Sequence, residues 1–265
     1  MDRAAEESRG RFGQAIARLG ADVVIDITCY AAQSAVQLAE ALAGRRTHLV
    51  HCGTIWVHGL SGAGPTTEDD PRVPLGDYGC HKAAVEKYLL GETRAGRITA
   101  TVLHPGHLVG PGWAPVNPAG NFNVQVFEDL AAGREVRLPN VGMETLHHVH
   151  ADDVAQAFAL AVARPAAAIG ESFHVVSPQA ITLREYAERM AEWFGVPAKL
   201  KWVPYDEWRR GVSERDAAVT CDHLRHSSNC SIEKARRMLG YTPRYTSLDA
   251  VQESVASLIK SGAGV

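Results

Sequence analysis

Short apolar runs alternating with helical stretches constrain this chain most. Four of them, Val23–Thr28, His48–Cys52, Ala100–His104 and Ser172–Ser177, lack the polar alternation of a half-exposed strand. Strands covered on both faces read this way, as in a parallel sheet packed between helices. Between them, Gln33–Ala43 is rich in Ala and Leu and ends at Gly44. His81–Leu90 places Ala84, Val85, Tyr88 and Leu89 at helical spacing. Asp152–Ala163 has Asp152 or Asp153 as its cap and stops before Pro165. Strand–helix alternation implies βαβ units and an open, wound, mostly parallel α/β sheet.

The pattern changes after Ser177. Thr182–Phe194 is an amphipathic helix, with Thr182 and Glu185 at capping-box spacing and Gly195 and Pro197 at its end. Ser231–Leu239 closes on Gly240, and Ser247–Ile259 is the last helix. Residues 116–145, rich in Pro, Asn and Gly, read as an irregular excursion over the sheet edge. Trp193, Trp202, Tyr205 and Trp208 read as the packing of a C-terminal lobe.

Composition excludes several classes. With 265 residues, 46% apolar and 22% charged, the chain can bury a sizeable core. A net charge of −3 and the lack of a basic, aromatic stripe give no reason to expect nucleic acid or an acidic membrane surface. No run is long enough to span a bilayer, and the N-terminus is too charged for a signal peptide. Five cysteines without a CxxC suit reduced thiols, so a cytoplasmic location is expected.

Tyr78 and Lys82 carry the clearest chemistry. Four residues apart on a helix, they share a face. An ammonium near a phenol favours the phenolate and is expected to lower a pKa that is otherwise about 10. The phenol then serves as a general acid or base. Thr54 follows the His48–Cys52 strand, where it can hydrogen-bond a reacting oxygen, and Leu103–Gly112 follows the next strand. Ligands of open α/β sheets bind outside such carboxyl ends. No GxGxxG or GxxGxxG occurs, and Gly10, Gly13 and Gly20 are isolated and follow no strand.

These segments resemble the extended short-chain dehydrogenase/reductase family, the NAD-dependent epimerase/dehydratase group. Its S-S-x-x-V-Y-G, Y-x-x-x-K and R-P-x-x-V-Y-G-P-G segments are similar to His51–Gly59, Tyr78–Lys82 and His104–Gly112. His147–Phe158 and Ser231–Pro243 resemble its I-H-V-x-D-V-A and S-K-A-x-x-x-L-G-Y-x-P stretches. The resemblance implies an incomplete Rossmann-like wound parallel sheet, lacking the first three family strands, with a small C-terminal substrate lobe. Residues 1–115 and 146–178 would form the remainder of the dinucleotide-binding domain, and residues 116–145 and 179–265 the lobe. It further implies NAD or NADP as cofactor and a small-molecule substrate bearing a hydroxyl or carbonyl. Thr54, Tyr78 and Lys82 would be catalytic. Tyr78, Lys82, Pro105 and Gly106 would hold the cofactor, and Thr54, His107 and Asn121 the substrate.

The departures from the pattern carry their own expectations. A late start is the simplest account of the missing strands. Without them an apolar strand becomes a sheet edge, and cover from a second subunit makes a homodimer an expectation. Cys29 and Tyr30 are bulkier than the family's residues beside the adenine ribose, and His104 replaces an Arg. The arginine clamp that grips a sugar-nucleotide diphosphate in the family is not evident: Leu146 and His147 stand at its first place, and at its second, Cys221–His226, Arg225 alone could compensate. A small molecule, including a sugar, is therefore favoured over a sugar nucleotide. No metal site is assigned. Alternate residues of His147, His148 and His150 point oppositely along an extended stretch. Cys221, His223, His226 and Cys230, in an expected loop, match no common zinc pattern. The competing readings are a redox-silent relative acting as a binding or scaffold protein, and a redox-free acid/base enzyme.

Overall fold

The computed structural model describes residues 1–62 and 64–262. Two short helices, α1 (Arg3–Ser8) and α2 (Phe12–Ala17), open the chain, and the Asp2 carboxylate caps α1. Next come β1 (Val23–Asp26), α3 (Ala32–Leu42), β2 (His48–Cys52), α4 (Gly76–Arg94) and β3 (Thr99–Pro105). An excursion follows with β4 (His107–Val109), α5 (Gln125–Ala131), β5 (Val136–Pro139), β6 (Thr145–Leu146) and β7 (His148–His150). The chain returns through α6 (Ala151–Ala163), α7 (Pro165–Ala168) and β8 (Ser172–Val175). The remainder holds β9 (Ile181–Thr182), α8 (Leu183–Trp193), β10 (Leu200–Val203), α9 (Tyr205–Trp208), α10 (Glu214–His226), α11 (Glu233–Leu239) and α12 (Ser247–Ser261). Among the described residues no helix is long and apolar enough to cross a membrane.

The four expected strands form one parallel sheet in the order β1-β2-β3-β8. Neighbouring residues face opposite layers, as strand geometry requires. Leu49 and Ala100 join Phe12, Leu38, Val85 and Leu89 under α2, α3 and α4. Val50 and Leu103 join Val154, Phe158 and Tyr241 on the other face. Among the described residues β1 pairs with β2 alone and is a sheet edge, and Ile25 and the following Ile27 are 47% and 57% exposed. Arg3 reaches that edge, stacking over Phe12 and pairing with Asp26.

A separate core joins the excursion to α8, α10 and α12 through Phe127, Leu138, Tyr186, Met190, Trp208, Leu224 and Val251. The strand pairs β5–β10 and β6–β9 stitch the two chain segments together. The structure departs from the expected layout at three points. α11 packs against α6 and β8, so Ile232, Ala235 and Leu239 belong to the sheet side although they lie within 179–265. The expected loop at Cys221–His226 is the last part of α10, capped by the Ser213 hydroxyl on Asp216 N–H. α4 begins at Gly76, five residues before His81, which puts Tyr78 in its first turn.

Candidate active site

Lys82 is fixed more tightly than its motif suggests. The side chain is 1% exposed, and Nζ donates to the carbonyl oxygens of Cys29 at 2.8 Å and Cys52 at 2.7 Å. Those carbonyls lie beyond the carboxyl end of β1 and at the end of β2, so the ammonium bridges two adjacent strand ends. Burial holds it below its ordinary pKa. It also sits 4.8 Å from the Tyr30 ring centre and 6.0 Å from that of Tyr78.

Tyr78 is 43% exposed, and its ring stands edge-on to Trp56 at 6.1 Å. Its phenol shifts against the sequence expectation. Burial pushes the pKa above 10, opposed by a hydrogen bond with Thr54. The ammonium that was to lower it is directed at the two carbonyls instead.

Thr54 caps the short 3-10 turn Ile55–His58, its hydroxyl accepting from Trp56 N–H at 3.3 Å. Its own N–H donates to His104 Nδ1 at 3.0 Å. His104 Nε2 lies 3.1 Å from Glu86, which also pairs with Arg72 at 2.8 Å. His104 and Arg72 hold the Glu86 carboxyl well below the usual carboxylate range despite its burial. The ring of His104 needs the space above Gly53, where an added Cβ would lie 2.4 Å from Nδ1. Thr54 is thus set by a buried chain of polar groups behind it.

Two clefts meet at Thr54, Tyr78 and Gly106. The larger, about 690 Å³, is lined by Tyr30, Gly53, Lys82, Pro105, Trp113 and Val154 among others. The smaller, about 310 Å³, is walled by Trp56, His107, Phe122, Val219, Asp222 and His223. Among the described residues, no Lys or Arg lines the smaller cleft. Among the described residues His107 Nε2 is buried there without a hydrogen-bond partner, while Nδ1 contacts the His147 carbonyl at 3.3 Å. Burial and the neighbouring His223 and His148 hold His107 well below the ordinary histidine value.

Thr54, Tyr78, Lys82, Pro105, Gly106 and His107 therefore converge on one junction. Asn121 does not join them. It is buried behind the wall, donating to Thr220 at 3.0 Å and accepting from Asn117 and from Asn123 N–H. The histidine group also separates. His147 contacts the Ser177 carbonyl, His148 the Val116 carbonyl, and His150 Glu253.

Trp56, Phe122, Val219, Asp222 and His223 escaped the sequence reading as wall residues. The signal was there for α10, because Val219, Asp222, His223 and His226 follow an i, i+3, i+4, i+7 pattern. His226 stacks on Trp56 at 4.0 Å, which locks that face against the Thr54 turn.

The model of the NAD dependent epimerase/dehydratase family matches residues 22–175. The dTDP-6-deoxy-L-talose 4-dehydrogenase (NAD(P)(+)) of Kitasatospora kifunensis is 29% identical over 82% of this chain and 65% of that protein. A UDP-glucose 4-epimerase of Mycolicibacterium smegmatis is 31% identical over 83% of this chain and 65% of its own length. The chain thus spans just under two thirds of each of these relatives. The structure of a Thermotoga maritima UDP-glucose 4-epimerase with UDP-glucose superposes with a TM-score of 0.71 at 20% identity, covering 96% of this chain and 83% of that one. With the family model covering more than half of the sequence, and the Tyr78–Lys82 helix and its sheet inside the match, the chain belongs to the NAD dependent epimerase/dehydratase family.

Proposed function

We propose that the chain carries the catalytic apparatus of an NAD(P)-dependent oxidoreductase or epimerase acting on a hydroxyl- or carbonyl-bearing small molecule. The observation that carries this reading is the junction of the two clefts at Thr54, Tyr78 and Gly106. One cleft suits a nicotinamide and its ribose and the other a substrate. Gly53 and Gly106 leave a floor without side chains, and Pro105 continues it. Lys82, held by two carbonyls, retains one ammonium proton to offer a ribose hydroxyl. When bound, the dinucleotide supplies hydride transfer. Tyr78 takes the substrate hydroxyl proton or returns it to a carbonyl, and Thr54 fixes the reacting oxygen. A cationic ring beside the phenol would bring its raised pKa back toward neutrality.

The smaller cleft points to the substrate class. Its one charged wall residue among those described is Asp222, and Trp56, Phe122 and His107 offer flat faces and a free ring nitrogen. A neutral or cationic polyhydroxylated molecule matches this wall better than a diphosphate does. A sugar nucleotide is the second reading, favoured by the names of the two relatives.

Fluorescence titration of the 265-residue chain with NADH and NADPH tests the proposal. Saturable binding that is lost in Lys82→Ala supports it. No binding at millimolar cofactor overturns it for this chain.

A further inference from the structure

We propose that Asp26, Cys29 and His51 form a binding site for a divalent metal ion of the zinc class, closing the free end of the β1–β2 pair. Asp26 and His51 are register partners across the two strands, so their side chains stand on the same face. The chain turns after β1 and brings Cys29 back over them. One donor atom from each, a carboxylate oxygen, Sγ and a ring nitrogen, lies within 4.8 Å of the other two.

His51 points to a ligand independently of this grouping. It is 1% exposed, and its Nε2 is buried with no hydrogen-bond partner among the described residues. An orphaned buried ring nitrogen costs roughly 1–3 kcal/mol unless something engages it. Cys29, also 1% exposed, donates from Sγ only to the Ala31 carbonyl, at 3.5 Å, among the described residues.

One carboxylate, one thiolate and one imidazole is a donor set suited to zinc. Tetrahedral bonding at usual lengths separates donors by about 3.3–3.7 Å, so the trio must contract by about 1 Å. The two anionic ligands neutralise the dication, and three protein donors leave a fourth position open. Binding breaks the Cys29 S–H bond, forms a metal–sulfur bond and releases one proton per ion.

Two cations oppose the ion. Arg3 holds both oxygens of Asp26, and the Lys82 ammonium is close to His51. Arg3 and Asp26 line a cleft of about 390 Å³ that also includes Met1 and Thr28, which offers an entry path. The metal competes with Arg3 for the carboxylate there. It would also stiffen Cys29, whose carbonyl holds Lys82.

Cobalt(II) titration of the chelator-stripped chain is the test. One ion per chain is expected, with a thiolate-to-cobalt absorption band that zinc displaces. The band is abolished in Cys29→Ser, and affinity falls at least tenfold in His51→Gln. Absence of a thiolate band at excess cobalt, or a band unchanged in Cys29→Ser, overturns the site and assigns any binding to other cysteines. If Cys29→Ser does not fold, X-ray absorption of the zinc-loaded wild-type chain decides. One sulfur with nitrogen and oxygen neighbours supports the site, and a sulfur-free shell overturns it.

Discussion

The backbone N–H of Thr54 donates to Nδ1 of His104 at 3.0 Å, across the gap between the carboxyl ends of β2 and β3. A ring nitrogen that accepts carries no proton, so the proton of neutral His104 belongs on Nε2, which faces Glu86 at 3.1 Å. Nitrogen-15 spectra should therefore show the neutral ring of His104 as the Nε2–H tautomer. The opposite tautomer would mean that Thr54 is not held from behind in this way.

Glu86 is the anchor of that chain. It receives Arg72 through two nitrogens, at 2.8 and 3.2 Å, as well as facing His104. Arg72 keeps the Glu68 and Asp70 carbonyls if the carboxylate is neutralised, which limits the damage. Glu86→Gln should cost about 2 kcal/mol, less than the loss of a fully buried ion-pair partner. The depressed carboxyl adds a pH signature. Its contribution is present above the ordinary glutamate range and is lost as pH falls toward the folded value. Urea midpoints at pH 7 and pH 4 should thus differ less in Glu86→Gln than in the wild type.

Gly53 owes its identity to the same ring. A Cβ there would lie 2.4 Å from His104 Nδ1 and 3.1 Å from Val102. Gly53→Ala should destabilise the chain by about 1–3 kcal/mol as His104 is displaced. Its effect should be largely absent in a His104→Ala background. A double-mutant cycle with no coupling would remove the steric explanation.

Asn121 separates structure from recognition. Its amide joins Asn117 and Thr220 inside the wall, away from both clefts. Asn121→Ala should lower stability by about 1–3 kcal/mol through the partners left unsatisfied. Ligand affinity, measured well below the melting temperature, should change little. A large loss of affinity at unchanged stability would return Asn121 to the substrate side.

The sheet was legible because β2, β3 and β8 are covered on both faces and read as apolar runs, and the half-exposed edge strand β1 keeps the apolar run Val23–Ile25. The spacing of Tyr78 and Lys82 was equally plain. What Lys82 holds was not, because the carbonyls of Cys29 and Cys52 are backbone groups that leave no mark on composition. The phenol shift failed for the same reason: charge proximity was readable and burial was not. α10 was hidden by its own chemistry, since histidines and cysteines drew attention from the helical period of Val219–His226. The two- and three-residue pairings of β4 with β7 and β6 with β9 are too short to carry any periodic signal.

The buried histidines make acid sensitivity the sharpest global prediction. Desolvation pushes His58, His147 and His223 down to about 4, and His148 to about 3. In the unfolded chain each titrates near 6.5. The neutral form belongs to the fold, so stability is complete above about pH 6.5 and falls as pH drops toward 4, where the unfolded chain holds more protons. Each group contributes a slope of up to about 1.4 kcal/mol per pH unit in that window. The urea midpoint, followed by circular dichroism, is therefore expected to fall between pH 7 and pH 5. His148→Gln should reduce the proton uptake on unfolding at pH 5 by about one. A urea midpoint that stays flat from pH 7 to pH 5 would show that these rings are not held neutral by the fold.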